Sequence, residues 1–592
     1  DRMSPLEITD YADRVVADQL KTLPGVASVI IGGQRRYAMR IWLDPLRMAA
    51  LGMTVQDVET ALRSQNTELP SGRIESRMRE FTVLAETDLR TPEEFERVIL
   101  RDTGGVLVRL GDIGRAEVGA ADDRNSVRVN GRAAVGLGVV KQSTANTLSV
   151  AQAVKAALPR IEAALPEGMQ LRIGFDSSIF IEKSIDAVYT TMLEAMVLVV
   201  GVIFLFLRNW RATLIPFVTI PVSLIGAFVF LYSMGFTINV LTLLGLVLAI
   251  GLVVDDAIVM LENIYRHIEE GMPPYEAALK GSREIGFAVV AMTLTLAAVF
   301  APLAFAEGNT GKLFTEFALT VAAAVLVSGF VALTLTPMMA SKMLRHETSH
   351  GVLFNFGERV LAGLNNAYTR SLARVVRHPW IVMLVFVLVA AAAFGLLKSL
   401  KSELAPTEDR GFFIGFMLAP EGATMQYTDD YARQLEAIYQ RMPEIRTAFV
   451  VVAPGLERPN PVNTALSFVM LDPWEARSRS QMDITASLGP QMFMGMPGVL
   501  AFPINPPSLG QSFRNPPLQF VVQAPTYAEL NTAVEALMAK VREYPGLANA
   551  DSDLKLNKPQ LKVDINRDKA AQMDIGVDSI GRTLETLLGG RK

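Results

Sequence analysis

Two adjacent carboxylates, Asp255 and Asp256, sit inside the apolar stretch GLVLAIGLVVDDAIVMLENI at residues 245–264. Apolar character runs from about Ile238 to Leu261, and at about 1.5 Å per residue this matches a hydrocarbon core roughly 30 Å thick. The pair lies five and six residues before the last apolar position, about 8 to 9 Å inside the apolar zone. Each charge near the centre of a spanning helix costs about 2.5–3.5 kcal/mol to insert, so the pair calls for protonation, a partner or a wet neighbour. Two carboxylates this close do not easily both ionise in a low dielectric, so a proton can bind and leave. The chemistry these residues offer is a proton relay. The alternative, a packing ion pair at a helix end, suits the depth poorly because aspartate is too short to reach the interface. Gly245, Ala249 and Gly251 leave room for another helix to approach.

The elements that position the pair are membrane spans. With 592 residues and 50% hydrophobic side chains, the chain exceeds one domain and is too apolar to be wholly soluble. A net charge of -4 without a lysine-rich tract gives no reason to propose nucleic acid, and zero cysteines exclude disulfides and thiolate metal sites. Six spans are expected, at 185–207, 212–232, 238–261, 285–306, 313–340 and 380–397. Connections 208–211, 262–284 and 341–379 hold two, three and six Lys or Arg, against none and one in 233–237 and 307–312. The richer set is cytoplasmic by the positive-inside rule, so both soluble segments face the periplasm of a double-membraned bacterium. Within 341–379, Leu353, Phe356, Val360, Leu364, Tyr368 and Leu372 share one helical face, with Arg359, Arg370 and Arg374 elsewhere, as in a helix lying on a membrane surface.

Residues 1 to about 178 read as soluble α/β structure: a helix over 6–23, strands VASVII and YAMRIWL, a helix over 44–65, strands within 127–140, a helix over 148–165 and a strand over 170–175. After Leu397 the order is strand GFFIGFML, helix 429–441, strands TAFVVVA and LSFVML, helix 484–492 and strand VLAFPI, a βαββαβ unit of ferredoxin-like type. A second unit begins at LQFVVQA with a helix over 527–544. One stretch repeats: Pro24-Gly25 and YAMRIWLDPLRMAALGMTVQDVETAL answer Pro545-Gly546 and PQLKVDINRDKAAQMDIGVDSIGRTL, with Ala49-Ala50 set against Ala570-Ala571. This implies a duplicated architecture of soluble block plus membrane block, so a span is expected before the first soluble block and a membrane block after Lys592.

GLVLAIGLVVDDAIVMLENIYR, NWRATLIPFVTIPVSLIGAFVF, VFAPLAFAEGNTGKLFTEFALTVAAAVLVSGFVALTLTPMMASKML and YAMRIWLDP resemble the resistance-nodulation-division (RND) efflux pumps, in particular their hydrophobe/amphiphile exporter branch. The resemblance covers essentially the whole chain. It implies an α-helical membrane bundle plus α/β periplasmic porter subdomains. It also implies a homotrimeric inner-membrane proton/drug antiporter, not an enzyme, that exports small amphiphiles through a periplasmic adaptor protein and an outer-membrane channel without a cofactor. The domains it implies are a porter subdomain at 1–35 and 123–184, a docking subdomain at 36–122 and a membrane block at 185–397 with a surface helix near 352–375. A porter subdomain of the second repeat follows at 398–511, and a further one leads into a second docking subdomain at 512–592. By motif match Asp255 and Asp256 take the proton-carrying pair, and Glu194 matches a carboxylate tied to proton movement or, equally, an interfacial residue. The family's lysine and arginine partners lie in the second membrane block, which this sequence lacks.

Phe175, Phe449 and Phe468 align with positions lining the family's distal drug pocket, although Phe449 and Phe468 on neighbouring strands also suit core packing. Between them lies APGLERPNPVNT, whose Glu457 and Arg458 would select charged amphiphiles or be merely solvated. A rival within the superfamily is a Cu(I)/Ag(I) exporter, since Met492, Met494 and Met496 offer thioethers on one face of a strand; at a helix end they would fan apart. His267, His346, His350 and His378 all fall in the cytoplasmic connections. A second rival is a non-pump member that aids protein export or senses lipids. No nucleotide fingerprint or nucleophile with a base is present.

Overall fold

The computed structural model describes the chain except residues 1–2, 68–70, 84, 104, 208, 346–351, 401, 404, 456–460, 509–517, 548–549 and 592. Two compact units result, one of residues 1–176, 407–507 and 511–592, the other of 177–406 with 508–510.

In the soluble unit a helical run over 5–21 precedes β1 (Val26–Gly32) and β2 (Tyr37–Leu43). The helix expected over 44–65 is two helices, α1 (Pro45–Ala50) and α2 (Val55–Gln65). Gly52 takes a left-handed φ of 60°, and Thr54 then restarts the helix in a capping box with Asp57. Beyond two short strand pairs and two short helices within 73–113 come β3 (Gly114–Ala120), which pairs with β2, then β4 (Ser126–Val129), β5 (Arg132–Ala133), β6 (Gly136–Lys141) and α3 (Thr147–Ala163). Residues 170–175, expected as a strand, form none: among the described residues no strand pairs with them, and alternation by itself does not supply the ladder hydrogen bonds.

Among the described residues six helices are long and apolar enough to span a membrane: α4 (Ser178–Leu207), α5 (Trp210–Ser233), α6 (Val240–Glu269), α7 (Pro274–Ala304), α8 (Gly308–Met343) and, after the surface-type helix α9 (Val352–Arg377), α10 (Pro379–Ser399). Asn209 and Asn239 start α5 and α6 by accepting from the backbone amides two and three residues on. The apolar windows of α6 and α8 are each 56% buried, against 6% for α4 and 0% for α10, so α6 and α8 form the centre. Gly245 matters here: a Cβ on it would lie 3.1 Å from the Phe317 carbonyl of α8, and Ala249 is fully buried, whereas Gly251 faces open space. On α9, Leu364, Tyr368 and Leu372 are exposed, as are Arg370 and Arg374.

Returning to the soluble unit, β7 (Phe412–Leu418), α11 (Met425–Gln440), β8 (Ile445–Val452), β9 (Thr464–Leu471), α12 (Gln481–Gly495) and β10 (Leu500–Ile504) follow in order. Their antiparallel sheet runs β10-β7-β9-β8 and continues into β4-β5 from the first soluble segment, with Phe449 opposite Val129. The joint is locked by charge. Arg128 of β4 is buried against Asp429 and Glu436 of α11, its Nε 2.9 and 3.0 Å from the Glu436 oxygens. Burial holds the Glu436 carboxyl above its ordinary value in spite of the guanidinium beside it. LQFVVQA forms no strand; Leu518, Phe520 and Val521 are exposed. Helices follow at α13 (Tyr527–Glu543), α14 (Arg567–Gln572) and α15 (Val577–Leu584). The starts of α1 and α14, 45 and 567, and of α2 and α15, 55 and 577, are both 522 residues apart, so the repeat sets Ala49 against Ala571, one residue from the expected register.

Candidate functional site

Consecutive positions on a helix point about 100° apart, and the structure divides the carboxylate pair accordingly. Asp256 is buried, 2% exposed, in the centre of the membrane unit. Asp255 is exposed on the opposite stripe with Leu244, Leu248, Val259 and Glu262. Neither has an ion pair among the described residues.

The polar neighbour of Asp256 is Thr293 of α7, whose Oγ1 lies 3.2 Å from Oδ2 and 2.8 Å from the Val289 carbonyl. One hydroxyl proton cannot serve both acceptors. With Asp256 protonated, its own O–H donates to Thr293 Oγ1 while the threonine donates to Val289; with Asp256 ionised, carboxylate and carbonyl compete for one donor. Room for this threonine comes from Gly329 of α8, where a Cβ would lie 2.5 Å from Thr293 Oγ1. Beside it Ser328 Oγ donates to the Val253 carbonyl of α6 at 2.8 Å. Sequence reasoning missed Thr293, Ser328 and Gly329; small residues in apolar helices are common, and only packing singles these out. Glu194 on α4 is exposed, without a hydrogen bond or ion pair among the described residues.

The three phenylalanines do come together in the soluble unit. Phe175 and Phe468 have ring centroids 5.3 Å apart, and Phe449 and Phe468 are 6.2 Å apart as direct partners across β8 and β9. On β8 and β9, Ala448, Val450, Ala465 and Val469 turn toward the α11/α12 core, which leaves Phe449 and Phe468 on the other face, half-buried. Phe412 (4.8 Å from Phe175), Leu466 and Ile504 extend that face. Phe412 was legible from the alternation of FFIGFML. Two glycines from the first soluble segment admit the Phe449 ring: a Cβ on Gly136 would lie 2.8 Å from it and one on Gly174 3.3 Å. Glu457 and Arg458 lie outside the described residues.

These arrangements are two: a buried carboxylate with a hydroxyl partner between spans, and an aromatic face on a sheet built from both soluble segments. A model of the AcrB/AcrD/AcrF family matches residues 1–592. The chain belongs to that family of RND transporters. An uncharacterized transporter of Haemophilus influenzae (strain ATCC 51907 / DSM 11121 / KW20 / Rd) is 35% identical over 590 residues, covering 100% of this chain and 57% of that protein. The chain thus spans a little over half the length of that relative.

In this family member the methionine triplet is not gathered. It ends helix α12, with Met492 and Met496 buried in the core and Met494 72% exposed, so the sulfurs fan apart. His346 and His350 lie outside the described residues. His267, expected in a connection, is instead buried in the last turn of α6, between Glu270 and Glu284.

Proposed function

We propose that this protein is a proton-driven antiporter that exports amphiphilic or hydrophobic molecules from the inner membrane and periplasm. Asp256 carries the proton. The single observation behind this is the shared Thr293 hydroxyl, which can accept from the protonated carboxyl while still donating to Val289 and is a contested donor for the ionised one. Asp255 and Glu194 face outward from the described bundle, positioned to meet groups of a further membrane segment. Protonation of Asp256 removes a charge that costs about 2.5–3.5 kcal/mol at a helix centre, comparable to the roughly 2.3 kcal/mol that a proton gains per 100 mV of membrane potential.

The basic connections of the membrane unit face the cytoplasm, and the soluble unit faces the periplasm. There the 1–35/123–184 and 398–511 segments act as porter subdomains of ferredoxin-like type, 36–122 and the end of 512–592 as docking subdomains. Phe175, Phe449 and Phe468 form one wall of the substrate pocket, where apolar ligands gain burial and ring stacking. The protein works as a homotrimer with a periplasmic adaptor and an outer-membrane channel.

The test is accumulation of ethidium in cells making the full-length protein, wild type against Asp256→Asn, at matched membrane abundance. Lower accumulation with wild type and none of that lowering with Asp256→Asn is expected. Equal efflux by both proteins would overturn the role of Asp256.

A further inference from the structure

Asp256, Thr293 and Gly329 meet at one level of α6, α7 and α8. One turn nearer the basic connections, at i+4 on α6, i−4 on α7 and i+3 on α8, stand Met260, Val289 and Ala332. All three are at most 1% exposed and belong to one apolar cluster. This apolar layer stands between Asp256 and that end of the bundle.

One turn further along α8 the polarity returns. Thr336 is fully buried, and its Oγ1 has no hydrogen-bond partner among the described residues. Other threonines on these helices, Thr293, Thr320 and Thr334, donate to the carbonyl four residues back. Beside Thr336, Pro337 has no amide to offer the Leu333 carbonyl. An unmet hydroxyl in an apolar core costs free energy, and a side chain already sealed inside the bundle has no room for a further segment of chain. The ligand that fits is a water, which accepts the Thr336 proton and has hydrogens for the Leu333 carbonyl. At the same end of α6, Asn263 is partly exposed and lies 3.0 Å from the Gly281 carbonyl and 3.2 Å from Glu284, while His267 sits between Glu270 and Glu284. Polar groups therefore continue from this level to the end that the reading above places in the cytoplasm.

We infer that Met260 is a gate between Asp256 and the cytoplasmic end of the bundle, and that Thr336 binds the innermost water on its far side. An apolar constriction stops a proton by excluding the water that would carry it. Methionine suits a constriction that opens, because its unbranched thioether repacks readily. With Met260 in place, a proton on Asp256 has no wet way past the layer. With it withdrawn, water joins Thr336 to the carboxyl across about 10 Å, the rise of α8 from Gly329 to Thr336. The gate rests on the proposed proton coupling and adds to it the place where the proton is held back.

The test is passive proton flux into proteoliposomes of the full-length protein, without substrate, under an imposed pH gradient with potassium and valinomycin, read by pyranine inside the vesicles. Met260→Ser is expected to raise the flux several-fold over wild type, because a hydroxyl then wets the layer; Val289→Thr serves should the first variant not reconstitute. Adding Asp256→Asn or Thr336→Val to the leaky variant is expected to return the flux to the wild-type level. No increase with either layer variant would overturn the gate. A raised flux that survives Asp256→Asn bypasses the carboxyl and overturns the gate as well, and one that survives Thr336→Val overturns the water site. The ethidium experiment stays independent of these outcomes, since it fails only if Asp256 itself is dispensable for efflux.

Discussion

Both units bury carboxylates, but they treat them in opposite ways. In the soluble unit Asp429 and Glu436 are met by Arg128, itself 3% exposed, and Asp429 also by Arg433. In the membrane unit Asp256, just as buried, meets a single threonine hydroxyl that is shared with a backbone carbonyl. A carboxylate locked to a guanidinium is part of the scaffold, and removing one partner leaves an uncompensated charge. A carboxylate with only a neutral donor holds its charge loosely, and the proton is the simplest thing it can bind.

The contrast is broken most severely by exchanging the consequences of mutation. Asp256→Leu is expected to lower ethidium efflux to background, at least tenfold, with thermal stability in detergent unchanged or higher, since an unpaired buried charge is replaced by an apolar side chain. A large loss of stability there would mean that Asp256 has a partner as structural as Arg128. Arg128→Met, in turn, should cost about 3–5 kcal/mol in the soluble unit, because buried Glu436 loses its cation and Asp429 keeps only Arg433; chemical denaturation monitored by tryptophan fluorescence reads it. Gly329→Ala sharpens the membrane side: crowding Thr293 is expected to cost about 1–3 kcal/mol of local packing and to reduce efflux several-fold at wild-type abundance. Normal efflux would show that Thr293 can be displaced without consequence to Asp256.

The smallest effect concerns pH. The folded state raises the Glu436 carboxyl above its ordinary value, so the folded protein holds that proton more tightly than the unfolded chain does. Its contribution is present in full below the ordinary carboxylate range and lost as pH rises through the raised folded value. The melting temperature of wild type relative to Glu436→Gln should therefore decline by a few degrees as pH rises through that window, and a constant difference would contradict the raised value.

Hydropathy made the six spans, the Asp255/Asp256 motif and the strand–helix order after residue 411 legible, because each is a local pattern: about twenty apolar residues, period two, or period 3.6. The same locality misled at LQFVVQA and at 170–175, where alternation is present but no strand among the described residues pairs with them. The single helix expected over 44–65 failed for a local reason that was available, the Gly52 turn followed by the Thr54 cap.

What the sequence by itself determined is which segments cross a membrane, which residues carry titratable charge inside them, and the family to which they belong. Only the tertiary structure decided that Asp256 faces inward and Asp255 outward, that Thr293 and Gly329 make its surroundings, and that His267 joins two helices. It also decided that strands 126–133 complete a sheet begun almost three hundred residues later, with Arg128 reaching Asp429 and Glu436. The physical reason is common to all four: hydropathy reports transfer from water residue by residue, whereas the direction of a side chain and the partner it meets depend on packing between elements remote in the chain, which no local pattern encodes.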